Sequence, residues 1–258
     1  MISIQNASYS YDGIRPIWED VNIHVEPGEC FCLMGPNGCG KTTLFNCING
    51  RFPLQKGRVL INGKNVREYT TNELARIMGI VYQEHSAPFP YTSLEVVRMG
   101  RTPYLGLMGT PSSQDTEFAY SIMEELGIAH LAGKCYTQIS GGERQLVLIA
   151  RTVCQQPKII LFDEPTSHLD FKNQAMVMET IKQLSKRGIT IVMISHFPNH
   201  VWSIASSVAM MNFQGLVAHG KVSEVMTEEN LTKTYGVRVN IYKSMRDGKE
   251  TCFCTPEL

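Results

Sequence analysis

The chain has 258 residues, 43% of them hydrophobic, and 24 Lys+Arg balance 24 Asp+Glu for a formal net charge of zero. That length suits one large domain, or a core with a subdomain, and the apolar content is ample for a packed core and argues against disorder. A neutral chain has no overall electrostatic drive toward nucleic acid or an anionic membrane surface, and no apolar run approaches the roughly 20 residues of a membrane span.

The start, Met1-Ile2-Ser3-Ile4-Gln5-Asn6, has neither the basic region nor the apolar stretch of a secretory signal. A cytosolic, reducing location is therefore expected, with any membrane role coming through a partner. Ile2, Ile4 and Ala7 alternate with polar residues, which predicts a strand that ends in the turn Tyr9-Ser10-Tyr11-Asp12-Gly13. Val21-Asn22-Ile23-His24-Val25 alternates again, and Glu26-Pro27-Gly28 turns the chain into the short apolar strand Glu29–Met34.

Next comes Gly35-Pro36-Asn37-Gly38-Cys39-Gly40-Lys41-Thr42-Thr43, which fits the phosphate-loop pattern G-x-x-x-x-G-K-[ST] without a mismatch. Leu44, Phe45 and Ile48 give helical spacing after it, and Gly50 is a fitting stop. Strand, glycine loop and helix together make an anion site. The glycines let backbone N–H groups converge, and the helix N-terminus adds partial positive charge. Lys41 is expected to reach the β- and γ-phosphates and the Thr42 hydroxyl to ligate Mg²⁺.

Eight cysteines (Cys30, Cys32, Cys39, Cys47, Cys135, Cys154, Cys252, Cys254) are expected as free and mostly buried thiols, because neither Cys-x-Cys pair has the spacing of a metal site. Cys39 is the exception. Its place beside Lys41 and a helix start predicts a depressed pKa and a reactive thiol that ATP shields.

Gly57–Gly63 reads as a strand, Asn72–Met78 as a short helix and Gly79–Gln83 as a short buried strand. From Ser86 to Gln156 the character turns helical. A proline-rich Ser86–Tyr91 precedes a helix through Leu94, Val96, Val97 and Met99, capped by Thr92 or Ser93. A Gly/Pro-rich loop, Arg101–Pro111, carries the large apolar Tyr104, Leu105, Leu107 and Met108. Helices follow over Phe118–Leu126, ended by Gly127, and over Gly141–Cys154. Lys158–Phe162 is a hydrophobic strand ending in Asp163-Glu164. Met176–Lys186 is a helix stopped by Gly188, Ile189–Ile194 a buried parallel strand, and Val208–Met211 with Leu216–His219 a hairpin. The tail mixes a helix near Glu228–Thr234 with strands near Val237–Tyr242 and Thr251–Cys254.

Six further places add to the phosphate loop. Asp163 ends a strand where a phosphate-loop enzyme orients its Mg²⁺ shell, and Glu164, aimed differently, suits polarising an attacking water. Ile139-Ser140-Gly141-Gly142-Glu143-Arg144-Gln145 is a second serine–glycine turn at a helix start, hence a second anion site on one chain. It resembles the signature sequence of ABC-type ATPases, usually written LSGGQ. Pro165-Thr166-Ser167-His168-Leu169-Asp170 is similar to that family's D-loop, with Asp170 as its acid. His196, after Ile194-Ser195, resembles the switch histidine at the γ-phosphate. Gln83 resembles the Q-loop glutamine that contacts Mg²⁺ and water, with a solvated Glu84 after it. Tyr11 resembles the aromatic that stacks on adenine, with Tyr9 as the competing residue.

These motifs stand in the family's order over nearly the whole chain. The resemblance implies a phosphate-loop (RecA-like) mixed-sheet α/β core, residues 1–85 and 157–220, with an N-terminal antiparallel β part. It also implies an inserted helical subdomain at 86–156 and a C-terminal extension at 221–258. Implied too are ATP and Mg²⁺, a head-to-tail homodimer that sandwiches each ATP between the loop of one copy and the signature of the other, and no nucleic acid.

Val97-Arg98-Met99-Gly100-Arg101-Thr102-Pro103-Tyr104 is similar to a stretch of importers for iron–siderophore complexes, haem and cobalamin, and Thr227–Leu231 with Tyr235-Gly236-Val237 looks like that group's ending. The expected partner is then a separate membrane permease, met through the helical subdomain and the Gln83 region and fed by a substrate-binding protein. The chain would sit at the cytoplasmic face. Molybdate or tungstate is the alternative cargo. A soluble ATPase of iron–sulfur-cluster assembly is the alternative class, while a phosphate-loop kinase leaves Ser140-Gly141-Gly142 without a role.

Overall fold

A computed structural model describes residues 1–83, 90–106, 109–246 and 249–257. The expected solvated Glu84, most of the proline-rich Ser86–Tyr91 stretch, and Leu107 and Met108 lie outside the described residues. The chain divides into two compact units, Met1–Glu68 with Ser185–Leu258, and Tyr69–Leu184.

The first unit begins with strands β1 (Ile2–Tyr9) and β2 (Trp18–Val25), then β3 (Cys30–Met34), helix α1 (Lys41–Ile48), β4 (Lys56–Ile61) and the short β5 (Lys64–Asn65). The order β2-β1-β4-β5 is antiparallel throughout, as the two alternating strands predict. The alternation breaks once. Ile2 and Ile4 are buried, but so is Ala7, because a bulge at Asn6 (φ 47) shifts the register. The Asn6 N–H is taken by the Asn22 side chain at 2.9 Å.

The second unit runs α2 (Thr71–Ile77), β6 (Met78–Val81), α3 (Ser93–Arg98), α4 (Ser113–Glu125), α5 (Gly141–Cys154), β7 (Ile159–Asp163) and α6 (Phe171–Lys186). Four of its helices start on a reciprocal Ser/Thr–acid cap: Thr70 with Glu73, Thr92 with Glu95, Ser112 with Asp115, Ser140 with Glu143. Of the two caps weighed for α3, Thr92 is the one used. α3, α4 and α5 pack on one another, and β6 pairs in parallel with β7 from Met78↔Ile159 to Val81↔Phe162.

Two expectations need correction in this unit. The Gly/Pro-rich loop is not irregular at its start, since Met99–Tyr104 winds as a 3-10 stretch continuous with α3 and tolerates Pro103 near its end. α6 begins five residues before Met176, its first turn being polar or exposed and so outside any apolar period.

The chain then returns to the first unit with β8 (Thr190–Ser195), α7 (Pro198–Ile204), β9 (Ser207–Asn212), β10 (Gly215–Lys221), α8 (Val222–Val225), α9 (Glu228–Tyr235), β11 (Val239–Arg246) and β12 (Lys249–Pro256). β3 lies between β8 and β9, parallel to both, and β10 closes on β9 as the expected hairpin. β3 and β8 are buried along their whole length, as strands covered on both faces are. β11 and β12 form a separate hairpin whose second strand packs on α7. No helix among the described residues is long and apolar enough to cross a membrane.

Candidate active site

The first unit holds the phosphate loop. β3 and β8 end in register, Met34 opposite Ser195, so Gly35 and His196 leave the sheet at the same edge. The loop then folds back on the sheet. A Cβ at Gly35 would collide with the Met211 carbonyl, and one at Gly40 with Ile17 and Trp18, so both positions need glycine for space as well as for their positive φ. Gly40 is also the N-cap of α1, and no side chain caps that helix. The first-turn N–H groups of Thr42 and Thr43 are thus left for an external anion, while that of Lys41 is turned to the Cys39 thiol.

Lys41 is buried, and its ammonium donates to the carbonyls of Gly35 (2.9 Å) and Pro36 (2.8 Å), which holds a cation inside the loop. Thr42 is exposed at the mouth, with Asn37 and Gly38, while Pro36 is half-buried. Uncapped amides, an internal ammonium and a free-standing hydroxyl fit a polyphosphate with its divalent cation. Among the described residues no group of three or more His, Cys, Asp or Glu side chains is placed to hold a metal ion.

Cys39 overturns its expectation. It is 2% exposed, and burial pushes its thiol pKa up despite the opposing pull of Lys41. The loop turns this side chain inward, and desolvation of a thiolate outweighs a nearby cation. The reading from Lys41 and the helix start missed this because the sequence does not show which loop side chain faces the core.

Beside the loop, Tyr9 is 8% exposed and Tyr11 65%. Tyr9 stacks on Phe52 at 5.9 Å, while Tyr11 meets both edge-on, and the Tyr11 hydroxyl lies 2.8 Å from the Thr43 hydroxyl. Of the two tyrosines, only Tyr11 presents a ring that a base can reach. The turn carrying it is set by Asp12, whose carboxylate accepts from the Arg15 and Ile14 amides and the Ser10 hydroxyl; these bonds lower its pKa to about 2. Phe52, which backs both tyrosines, had no motif to announce it.

The second unit holds the carboxylates and the serine–glycine turn. Val81 pairs with Phe162, so the exposed Gln83 and the pair Asp163-Glu164 emerge at one end of β6 and β7. Asp163 is buried at the strand end. Glu164 adopts a left-handed backbone (φ 47), which costs a non-glycine residue on the order of 1 kcal/mol. The Ser167 hydroxyl donates to its Oε2 at 2.9 Å, a contact that the Pro165–Asp170 stretch concealed.

Ser140 caps α5: its hydroxyl donates to Glu143 Oε2 at 2.8 Å and accepts from the Glu143 amide at 3.3 Å. The Ser140 amide, donating to the same oxygen at 2.8 Å, and then the Ser140 hydroxyl hold the Glu143 carboxyl below its usual pKa. A Cβ at Gly142 would collide with Asn173, so the serine–glycine turn packs against the first turn of α6, and Gly141 sits exposed beside Leu169. Asp170 caps that turn, accepting from the Asn173 amide at 2.8 Å and its side chain at 3.0 Å.

Comparison with known proteins gives these features a family. Residues 18–167 match the ABC transporter family. Over 235 residues the chain is 38% identical to an uncharacterized ABC transporter ATP-binding protein of Haemophilus influenzae, covering 91% of this chain and 89% of the relative. It is 32% identical to the molybdate import ATP-binding protein MolC of the same organism (98% and 94% covered). It is 33% identical to the hemin import ATP-binding protein HmuV of Streptomyces coelicolor (92% and 84% covered).

Among solved structures, one of an ABC transporter assigned to the metal-chelate type, in an inward-facing conformation, superposes with a TM-score of 0.89 at 30% identity, covering 100% of this chain and 97% of that one. The dimeric bacterial ABC transporter cassette MJ0796 gives a TM-score of 0.73 at 27% identity, with 86% and 99% covered. The chain belongs to the ABC transporter family as an ATP-binding, ATP-hydrolysing subunit.

Proposed function

We propose that two copies of this chain bind two ATP molecules head to tail and power a separate membrane permease that imports a metal chelate, an iron–siderophore complex or haem. The observation that carries the dimer is the pairing, on one chain, of an open helix start at Gly40–Thr43 with a second serine–glycine helix start at Ser140–Gly142. Each would grip one side of a triphosphate, and the second would come from the partner copy.

In this reading Tyr11 lies under the adenine, Gly35–Thr43 cradles the phosphates, and Lys41 moves from its loop carbonyls to the β- and γ-oxygens. Thr42, Asp163 and Gln83 would hold Mg²⁺, which when bound offsets the charge of the polyphosphate. Glu164 takes a proton from the attacking water, and His196 contacts the γ-phosphate. Asp170 orders the D-loop at the contact between copies. ATP closes the dimer because it binds the closed state better, and loss of the γ-phosphate removes that bridge.

The helical subdomain at 86–156, inserted in a core of 1–85 and 157–220, would meet the permease at Gly100–Gly109, which keeps the chain at the cytoplasmic face. A substrate-binding protein would deliver the cargo. Likeness to the hemin import protein and to the metal-chelate type transporter over nearly the whole chain supports the cargo class. The molybdate import relative supports molybdate as the second reading. Uptake in cells lacking this chain separates them. The proposal expects loss of iron-chelate or haem uptake with molybdate uptake intact, restored by the wild-type chain and not by Lys41→Ala. The opposite pattern moves the cargo to molybdate, and loss of neither removes the transport reading.

A further inference from the structure

His196 sits on the peptide where β8 ends and α7 begins, and that peptide is held from the far end of the chain. Tyr235, the last residue of α9, donates its hydroxyl to the His196 carbonyl at 3.2 Å. Burial pushes the Tyr235 pKa far up, so the phenol stays a neutral donor at physiological pH. α9 is itself anchored. Thr227 caps it by accepting from the Asn230 amide at 3.2 Å, Leu231 and Thr234 are buried, and the Asn212 side chain on β9 donates to the Lys233 carbonyl at 3.2 Å. Gly236 (φ 70) ends the helix directly after the tyrosine. Three residues past His196, the Asn199 side chain accepts from the Cys254 amide of β12 at 2.9 Å. The segment 196–199 is therefore gripped at both ends by the C-terminal extension.

We propose that Tyr235 is a positioning residue for His196, and that through it the C-terminal extension sets the rate of ATP hydrolysis. This rests on the reading of His196 as the γ-phosphate contact. A histidine displaced by a fraction of an ångström loses much of its effect on a transition state, while ATP binding, made elsewhere in the loop, is untouched.

The test is a cycle of Tyr235→Phe, His196→Ala and the double variant in the full-length chain, reading kcat, KM for ATP and melting temperature. Tyr235→Phe is expected to lower kcat about 3- to 10-fold, the size of one lost hydrogen bond, with KM unchanged and the melting temperature down by no more than a few degrees. In the His196→Ala background the same substitution is expected to change nothing further. Asn199→Ala, at an exposed residue, is a second variant expected to lower kcat about 2-fold and likewise to be silent without His196; it decides the matter should Tyr235→Phe fail to fold or melt far below wild type.

An unchanged kcat in Tyr235→Phe, or an equal drop in both backgrounds, overturns the inference while leaving His196 in place. A His196→Ala variant that hydrolyses ATP like wild type instead removes the reading beneath it, and the inference with it.

Discussion

Two helices in this chain begin at a glycine-rich turn, and they begin differently. α1 starts from Gly40 with no side-chain cap, a buried lysine folded into the loop before it and an exposed threonine at its mouth. α5 starts from Ser140 with a complete capping box, the serine amide and hydroxyl donating to the Glu143 carboxylate and the hydroxyl accepting from the Glu143 amide. Both look like anion sites in the sequence. The first is open in the isolated chain, since no N-cap side chain takes the Thr42 and Thr43 amides of its first turn. The second is occupied by its own cap, so it grips a phosphate only when something makes Ser140 change partners. The difference teaches that a helix N-terminus is a site in proportion to what it leaves unsatisfied.

The largest effect expected from breaking this arrangement is at Glu164. Glu164→Gln keeps the shape and removes the proposed base, and turnover is expected to fall about 10²- to 10⁴-fold while ATP binding persists; a steady-state ATPase assay reads it, and near-normal hydrolysis would remove Glu164 from the chemistry. Next is the ready site. Lys41→Ala takes out a charge-assisted donor, and ATP affinity measured by calorimetry is expected to weaken about 10- to 100-fold. Tyr11→Ala removes the exposed ring of the two tyrosines, at roughly 1–3 kcal/mol of ATP binding. The same substitution should leave inorganic triphosphate binding unchanged, and an equal loss for triphosphate would mean that Tyr11 acts through Thr43 instead.

The smallest effect sharpens the comparison from the other side. Ser140→Ala is expected to cost about 1 kcal/mol of stability as a lost cap, with ATP affinity of the isolated chain unchanged. Because Glu143 is held below its ordinary pKa in the folded chain, the capping box contributes fully above that ordinary value and is lost as pH falls through the folded pKa. The gap in melting temperature between wild type and Ser140→Ala should therefore narrow in acid. A gap that widens in acid would mean that Glu143 is not part of the cap.

Much of this was legible in the sequence because motif and period coincided. The phosphate loop follows a short apolar strand and precedes a helix with Leu44, Phe45 and Ile48 in phase, and Gly50 ends that helix at φ 76. Tyr11 was preferred over Tyr9 from the turn residues after it, and the ring is the exposed one. What was not legible depends on packing. α7 is seven residues long with only Val201 buried, too short for a period. α6 begins at Phe171, 91% exposed, where no apolar stripe marks the first turn. Cys39 was misread because charge neighbours are visible in sequence and desolvation is not. The grip of Tyr235 on the His196 peptide joins residues 39 apart through a backbone carbonyl, which no side-chain pattern records.

The central claim is that the chain carries two halves of a nucleotide site, one ready and one conditional, which meet only between copies. Light scattering of Glu164→Gln with saturating ATP tests it most directly, beside the same chain carrying Ser140→Arg. Glu164→Gln is expected to double its mass with ATP and not with ADP, and the double variant to bind ATP equally well yet stay monomeric. A double variant that dimerises with ATP, or a Glu164→Gln chain that remains a monomer at saturation, would contradict it.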